Sequence, residues 1–229
     1  METITELFER YPSLAMCGEN LTAALDLWKK TYHGGGKFLF CGNGGSAADC
    51  EHIVGELMKG FLLPRPMADA DKKAFLDLYP DDRFVVDHLQ GGIPAIALVS
   101  HTALSTAWSN DAPPELCYAE QVYGYGRPGD LFLGISTSGN AKNVTYAAKI
   151  AHARGLYTIG LTGARESTLS AICDVTIRVP ETETYKVQEL HLPVYHWLCA
   201  ALEEEAFGKK PQCGISKTLI TGVHENENQ

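Results

Sequence analysis

His52 and Glu56 stand four residues apart, a spacing that puts both side chains on one face of a helix. Such a pair has three uses: an exposed helical contact, two metal ligands, or an acid and base. Gln188, His191 and His196 add polar groups farther along. Gln188 and His196 are eight residues apart, about 80° round an ideal helix, and converge on one site if Pro193 bends the axis. Either histidine taken alone reads as an ordinary surface or core residue before it reads as a ligand. Two polar turns complete the inventory, Gly42-Asn43-Gly44-Gly45-Ser46 and Ser136-Thr137-Ser138-Gly139-Asn140. The second offers three hydroxyls and free backbone N–H groups at a helix start. That arrangement suits a phosphate monoester without calling on Lys or Arg. Alone, the Ser136–Asn140 turn reads first as a capped helix start and the Gly42–Ser46 turn as a mere tight turn; two of them at strand ends in one sheet favour a shared ligand.

The elements around these residues must hold them together. Residues 37–41, in which Lys37 opens a continuous apolar run bounded by glycine on both sides, have the pattern of a buried strand. Runs at 93–98, 131–135, 157–161 and 175–179 predict four more strands. Helical spacing covers 2–32, broken at Pro12, then about 46–59, 101–108, 114–122, 141–153 and 184–205. Ser109-Asn110-Asp111 reads as a polar corner, and 67–92 as a long acidic surface excursion with one short helix. The tail from Gly208 is polar, and its last residues are expected to be disordered. Strands alternating with helices through 37–206 predict a parallel sheet covered on both faces, with ligands at the carboxyl ends of the strands. Both polar turns fall there.

Composition narrows the function classes. The 229 residues, 45% hydrophobic and 21% charged, suffice for one large α/β domain or two small ones. A net charge of −9 gives no general attraction to nucleic acid or anionic membrane. No apolar run reaches the ~20 residues of a spanning helix, and Met1–Glu6 lack the basic and apolar regions of a signal peptide, so the expectation is a cytoplasmic protein. Seven scattered cysteines without a CxxC pair read as small buried hydrophobes in a reducing compartment.

Taken together, these motifs resemble the SIS (sugar isomerase) domain family and, within it, the phosphoheptose isomerases. The resemblance rests on CGNGGSAADCEHIVGELMKGF within 37–61, IPAIAL at 93–98, Asn110-Asp111, GDLFLGISTSGNAKNVT at 129–145, and TIGLTG, IRVP and VQELHLPVYHWL within 156–198. It covers most of 18–206.

The resemblance implies a flavodoxin-like α/β domain spanning 1–229: N-terminal helices over 1–36, a five-stranded core over 37–206 with the insertion 67–92, and a tail over 207–229. It implies a homotetramer with active sites between subunits, converting sedoheptulose 7-phosphate to a heptose 7-phosphate through an enediol. Asn43, Gly44, Gly45, Ser46, Ser136, Thr137, Ser138 and Gln188 would bind the sugar phosphate, and Asn110 and Asp111 would line the same pocket. Glu56 falls on the family's general base and His196 on its general acid; His52, Glu56, Gln188 and His196 fall on four positions that bind zinc, one ion per chain.

The chain departs from the family pattern at Gly60, where Arg is frequent, at Ala141, where a phosphate-binding Ser is common, and at Tyr185, where Asp occurs. These departures leave the catalytic groups in place and alter those that shape the substrate. The competing class is a non-catalytic SIS module, a phosphosugar sensor or adaptor; retention of His52, Glu56, Gln188 and His196 together favours the enzyme.

Overall fold

A computed structural model of the chain describes residues 3–208, so the expectation for the end of the tail lies outside the described residues. Helix α1 (Ile4–Arg10) opens with a capping box between Thr3 and Glu6, a 3-10 turn follows at Pro12–Cys17, and α2 spans Gly18–His33. Then come β1 (Phe38–Gly42), α3 (Gly45–Met58), α4 (Asp69–Leu78), α5 (Arg83–His88), β2 (Ala95–Ala97), α6 (Thr102–Asp111), α7 (Cys117–Tyr125) and β3 (Leu131–Ile135). The chain continues with α8 (Lys142–Ala153), β4 (Tyr157–Thr162), α9 (Thr168–Ile172), β5 (Val175–Arg178) and α10 (Thr184–Phe207).

The five strands are all parallel, in the order β2-β1-β3-β4-β5. This is the flavodoxin-like order, whose direction of winding reverses between β1 and β3. Gly42 pairs with Ile135, so the carboxyl ends of β1 and β3 are level and the two polar turns leave the sheet side by side.

Alternation along the strands builds a core on each face. Phe38, Phe40, Leu131, Leu133, Ile159 and Leu161 pack with α2, α3 and α10; Leu39, Cys41 and Phe132 pack with α7, α8 and α9. Five of the six described cysteines are buried and all six are free, as small apolar residues in such cores would be.

Several expectations are corrected. The 67–92 excursion holds two helices, α4 and α5, rather than one; the acidic turn at Pro80-Asp81-Asp82 separates them. Its ends are closed by an antiparallel bridge between Pro66 and Gln90, and in both helices only Val86 is buried. Asn110 and Asp111 end α6 rather than forming a free corner. The predicted helix at 114–122 begins as a 3-10 turn, Pro114–Leu116, before α7. The short helix α9 went unforeseen, since its Ser-Thr-Leu-Ser sequence reads as a loop; Ser167 nucleates it through a capping box with Ser170. Helix α10 runs through Pro193 without interruption, and that proline is buried.

Candidate active site

Cavity geometry begins with the turn after β1. Gly44 adopts φ 57 and ψ −123, a left-handed backbone that glycine enters without a Cβ clash. A Cβ on Gly45 would lie 2.5 Å from Gln188 Nε2, so the missing side chain leaves room for the Gln188 amide beside the start of α3. Helix α3 has Gly44 and α8 has Ala141 at its N-cap, and neither has a side-chain cap. The starts of α3 and α8, each with the partial positive charge of a helix N-terminus, face the same crevice; of their first N–H groups, those of Ser46, Ala47 and Val144 are engaged by Asn43, Gly44 and Asn143.

That crevice is a cavity of about 420 Å³ lined by Asn43, Gly44, Gly45, Ser46, Ser136, Thr137, Ser138 and Gln188, with Ile135, Ala141 and Thr184. Eight of the sequence-predicted substrate residues thus share one cavity. The turns are also tied together by a reciprocal amide pair, Asn43 Nδ2 to Asn143 Oδ1 and Asn143 Nδ2 to Asn43 Oδ1, both 2.9 Å. Sequence reasoning missed Asn143; its place just inside α8 was the only signal. Asn140 turns away and accepts from the Thr168 N–H at 2.9 Å.

Farther along α3 and α10 lies a second cluster. Ser46 and Glu56 are separated by ten residues of α3, about 15 Å, and Gln188 and His196 by eight residues of α10, about 12 Å. His52 Nε2 lies 3.2 Å from Glu56 Oε1 and 3.4 Å from His196 Nε2. Lys59 Nζ reaches the other Glu56 oxygen at 3.3 Å. The rings of His52 and His196 meet edge to face at 4.9 Å, and Phe61 packs 5.7 Å from His196. Burial and the neighbouring His52 hold His196 below the ordinary imidazole value, against the pull of Glu56, which favours a neutral ring. His196 also opens onto a cavity of about 660 Å³ lined by Glu6, Glu9, Phe61 and Leu62.

Behind His52, its Nδ1 is 3.1 Å from the Tyr195 hydroxyl, which is 3.2 Å from Asp49 Oδ1. Burial raises both the Asp49 carboxyl and the Tyr195 phenol above their ordinary values.

Three predicted residues do not join this arrangement in the single chain. Asn110 Nδ2 donates to Asp111 Oδ1 at 2.7 Å; both residues are exposed, and neither lines the 420 Å³ cavity. His191, offered as a further polar group, is wholly buried, and neither ring nitrogen makes a hydrogen bond. Burial pushes its pKa down to about 4; the Thr162 carbonyl lies near enough to oppose this weakly without forming a bond of proper geometry.

Among the described residues no three His, Cys, Asp or Glu side chains stand as a closed group able to hold a metal. The two separations from His52 Nε2, 3.2 and 3.4 Å, nevertheless match the ~3.3 Å edge of a tetrahedron with Zn–N bonds of ~2.0–2.1 Å. The donor types and these two separations suit zinc, but the described side chains do not close around one ion, and Gln188 lines the 420 Å³ cavity instead.

Sequence missed one further feature here. Arg65 and Glu203 form a fully buried ion pair at 2.7 Å. Glu203 also accepts from the N–H groups of Phe61, Leu62 and Leu63, while Arg65 donates to the carbonyls of Glu56 and Leu57. The turn after α3 is thereby fastened to both helices that carry the cluster.

Comparison with known proteins identifies the family. The SIS domain family model matches residues 90–163. Phosphoheptose isomerase 2 of Campylobacter jejuni is 40% identical over 184 residues, 80% of this chain and 79% of its own. The phosphoheptose isomerase of Rhodospirillum rubrum is 34% identical over 203 residues, 89% of this chain and 93% of its own. Among solved structures, phosphoheptose isomerase from Neisseria gonorrhoeae superposes with a TM-score of 0.69 at 30% identity, covering 88% of this chain and 95% of that one. The chain belongs to the phosphoheptose isomerases, sugar-phosphate isomerases of the SIS-domain family.

Proposed function

We propose that the chain interconverts sedoheptulose 7-phosphate and an aldoheptose 7-phosphate, with Glu56 and His196 as the proton-transfer groups. One observation carries the reading. Helices α3 and α10, which line a polar cavity without Lys or Arg at one end, bring His52, Glu56 and His196 together at the other. The phosphate would rest on the Ser136-Thr137-Ser138 and Asn43-Gly44-Gly45-Ser46 turns, where helix N–H groups receive its charge. The open-chain sugar would then run along α3 and α10 towards the cluster.

In that pose the Glu56 carboxylate takes the proton from one of C1 and C2, leaving an enediol, and returns it to the other carbon. The neutral His196 moves the hydroxyl proton from one oxygen to the other, so proton count and charge balance across the reaction. We assign His52, Glu56, Gln188 and His196 to one zinc ion per chain; bound there, it would polarise the carbonyl and stabilise negative charge on the enediolate. A Glu56 engaged as a ligand is a weaker base, so its two roles require it to shift between them.

The assembly proposed is a homotetramer with sites between chains. Helix α6 buries no residue in the single chain, and the Asn110–Asp111 pair at its end reaches no cavity residue of its own chain, as a pair serving a neighbour's site would. The proposed compartment is the cytoplasm: the described cysteines are free, and no described helix is long and apolar enough to cross a membrane.

Incubation with pentose, hexose and heptose phosphates in both directions tests the substrate. Preferential turnover of the heptose 7-phosphates is expected; turnover of a shorter sugar alone would overturn the assignment.

A further inference from the structure

His52 has two ring nitrogens with different surroundings. Nε2 faces Glu56 and His196, and Nδ1 faces the Tyr195 hydroxyl at 3.1 Å. That hydroxyl is itself 3.2 Å from Asp49 Oδ1, and the other Asp49 oxygen is buried without a hydrogen-bond partner. Tyr195 is 1% exposed, and its ring meets the His52 ring edge-on at 5.5 Å and 74°. Asp49 lies three residues before His52 on α3, so helix geometry puts both on one side, facing α10.

The direction of the proton chain follows from the donor inventory. A carboxylate only accepts, and a phenol has one proton to give. The Tyr195 proton therefore goes to Asp49. Its oxygen is left as an acceptor towards His52, so the nitrogen it meets, Nδ1, must carry a hydrogen.

We propose that Asp49 and Tyr195 are positioning residues that hold His52 as its Nδ1–H tautomer, presenting the Nε2 lone pair to Glu56 and His196. The consequence bears on the chemistry. In the free protein that lone pair can accept from the His196 ring nitrogen, 3.4 Å away, and Lys59, 3.3 Å from the other Glu56 oxygen, offsets the charge of the carboxylate beside it. The relay thus leaves the inward nitrogen of His52 unprotonated and facing the two groups assigned to proton transfer. Orientation of an imidazole through its far nitrogen is the usual way proteins tune such a ligand. The proposal rests on the reading of residues 52, 56 and 196 as the reacting end of the site only for its functional meaning; the tautomer itself is a property of the free protein.

The test is long-range ¹H–¹⁵N correlation of the histidine rings in the full chain, free of metal and substrate, at a pH about two units above the ordinary imidazole value. The His52 signals are assigned by their loss in His52→Gln. The wild type should show a protonated Nδ1 and an unprotonated Nε2. In Tyr195→Phe the acceptor disappears, and in Asp49→Asn the amide N–H can donate to the phenol and turn the chain round. In each, the two ¹⁵N resonances should shift towards the Nε2–H pattern. Thermal melts and circular dichroism confirm that each variant is folded. A wild-type His52 protonated at Nε2, or a tautomer unchanged in both folded variants, overturns the proposal. Because neither turnover nor metal enters the measurement, its failure is distinguishable from failure of the isomerase assignment.

Discussion

The Nε2 atoms of His52 and His196 lie 3.4 Å apart although 144 residues separate them in the chain. Two imidazole nitrogens at that distance, with the Glu56 carboxylate 3.2 Å from one of them, hold the spacing of neighbouring ligands on a tetrahedral ion. Metal analysis of protein purified without chelator is expected to find about one zinc per chain. Metal-free protein with undiminished turnover would contradict the zinc assignment and leave acid–base chemistry alone.

The reciprocal Asn43–Asn143 amide pair locks the two turns of the phosphate cavity to each other. Asn143→Ala removes both bonds without touching the cluster at the far end of α3. Loss of one to two net hydrogen bonds corresponds to about 1 kcal/mol, hence a KM about five- to tenfold higher with kcat little changed. Steady-state kinetics on the heptose phosphate decide the point, and an unchanged KM would count against this role.

Glu203 and Arg65 are buried together. Burial alone would raise the Glu203 carboxyl, but the Phe61 and Leu62 N–H groups and the Arg65 guanidinium hold it below its ordinary value. Glu203→Gln leaves the Arg65 charge uncompensated, and a loss of about 3–5 kcal/mol in urea unfolding is expected. A loss under about 1 kcal/mol would place the pair among ordinary surface bridges.

His191 sets a pH dependence of stability. Its pKa falls from 6.5 in the unfolded chain to about 4 in the folded one, mainly through burial. Between these values the unfolded state binds the extra proton, so stability rises with pH and is lost as pH falls from 6.5 towards 4. The ring's share is about 3 kcal/mol across that window. Urea melts of His191→Leu should show a correspondingly shallower decline than wild type over the same range; parallel curves would refute the effect.

Much of the fold was legible in the sequence because parallel strands buried on both faces leave continuous apolar runs, and Phe38–Cys41 and Leu131–Ile135 are such runs. The two glycine turns were legible because their backbone demands are local, as Gly44 shows. Partnerships set by distant parts of the chain were not. Asn43 with Asn143, Tyr195 with Asp49 and Arg65 with Glu203 stand 100, 146 and 138 residues apart. No local periodicity encodes such pairs, and Arg65 between two prolines reads as a surface loop residue. His191 misled for the same reason: its helix position beside known polar groups says nothing of which face meets the core.

Turnover of sedoheptulose 7-phosphate by Glu56→Gln, compared with wild type at saturating substrate, bears most directly on the proposed chemistry. The amide keeps the size of the side chain and removes the base, so circular dichroism and assembly state should be unchanged while kcat falls by about 10²- to 10⁴-fold. A folded Glu56→Gln protein that turns over at the wild-type rate would show that Glu56 is not the base.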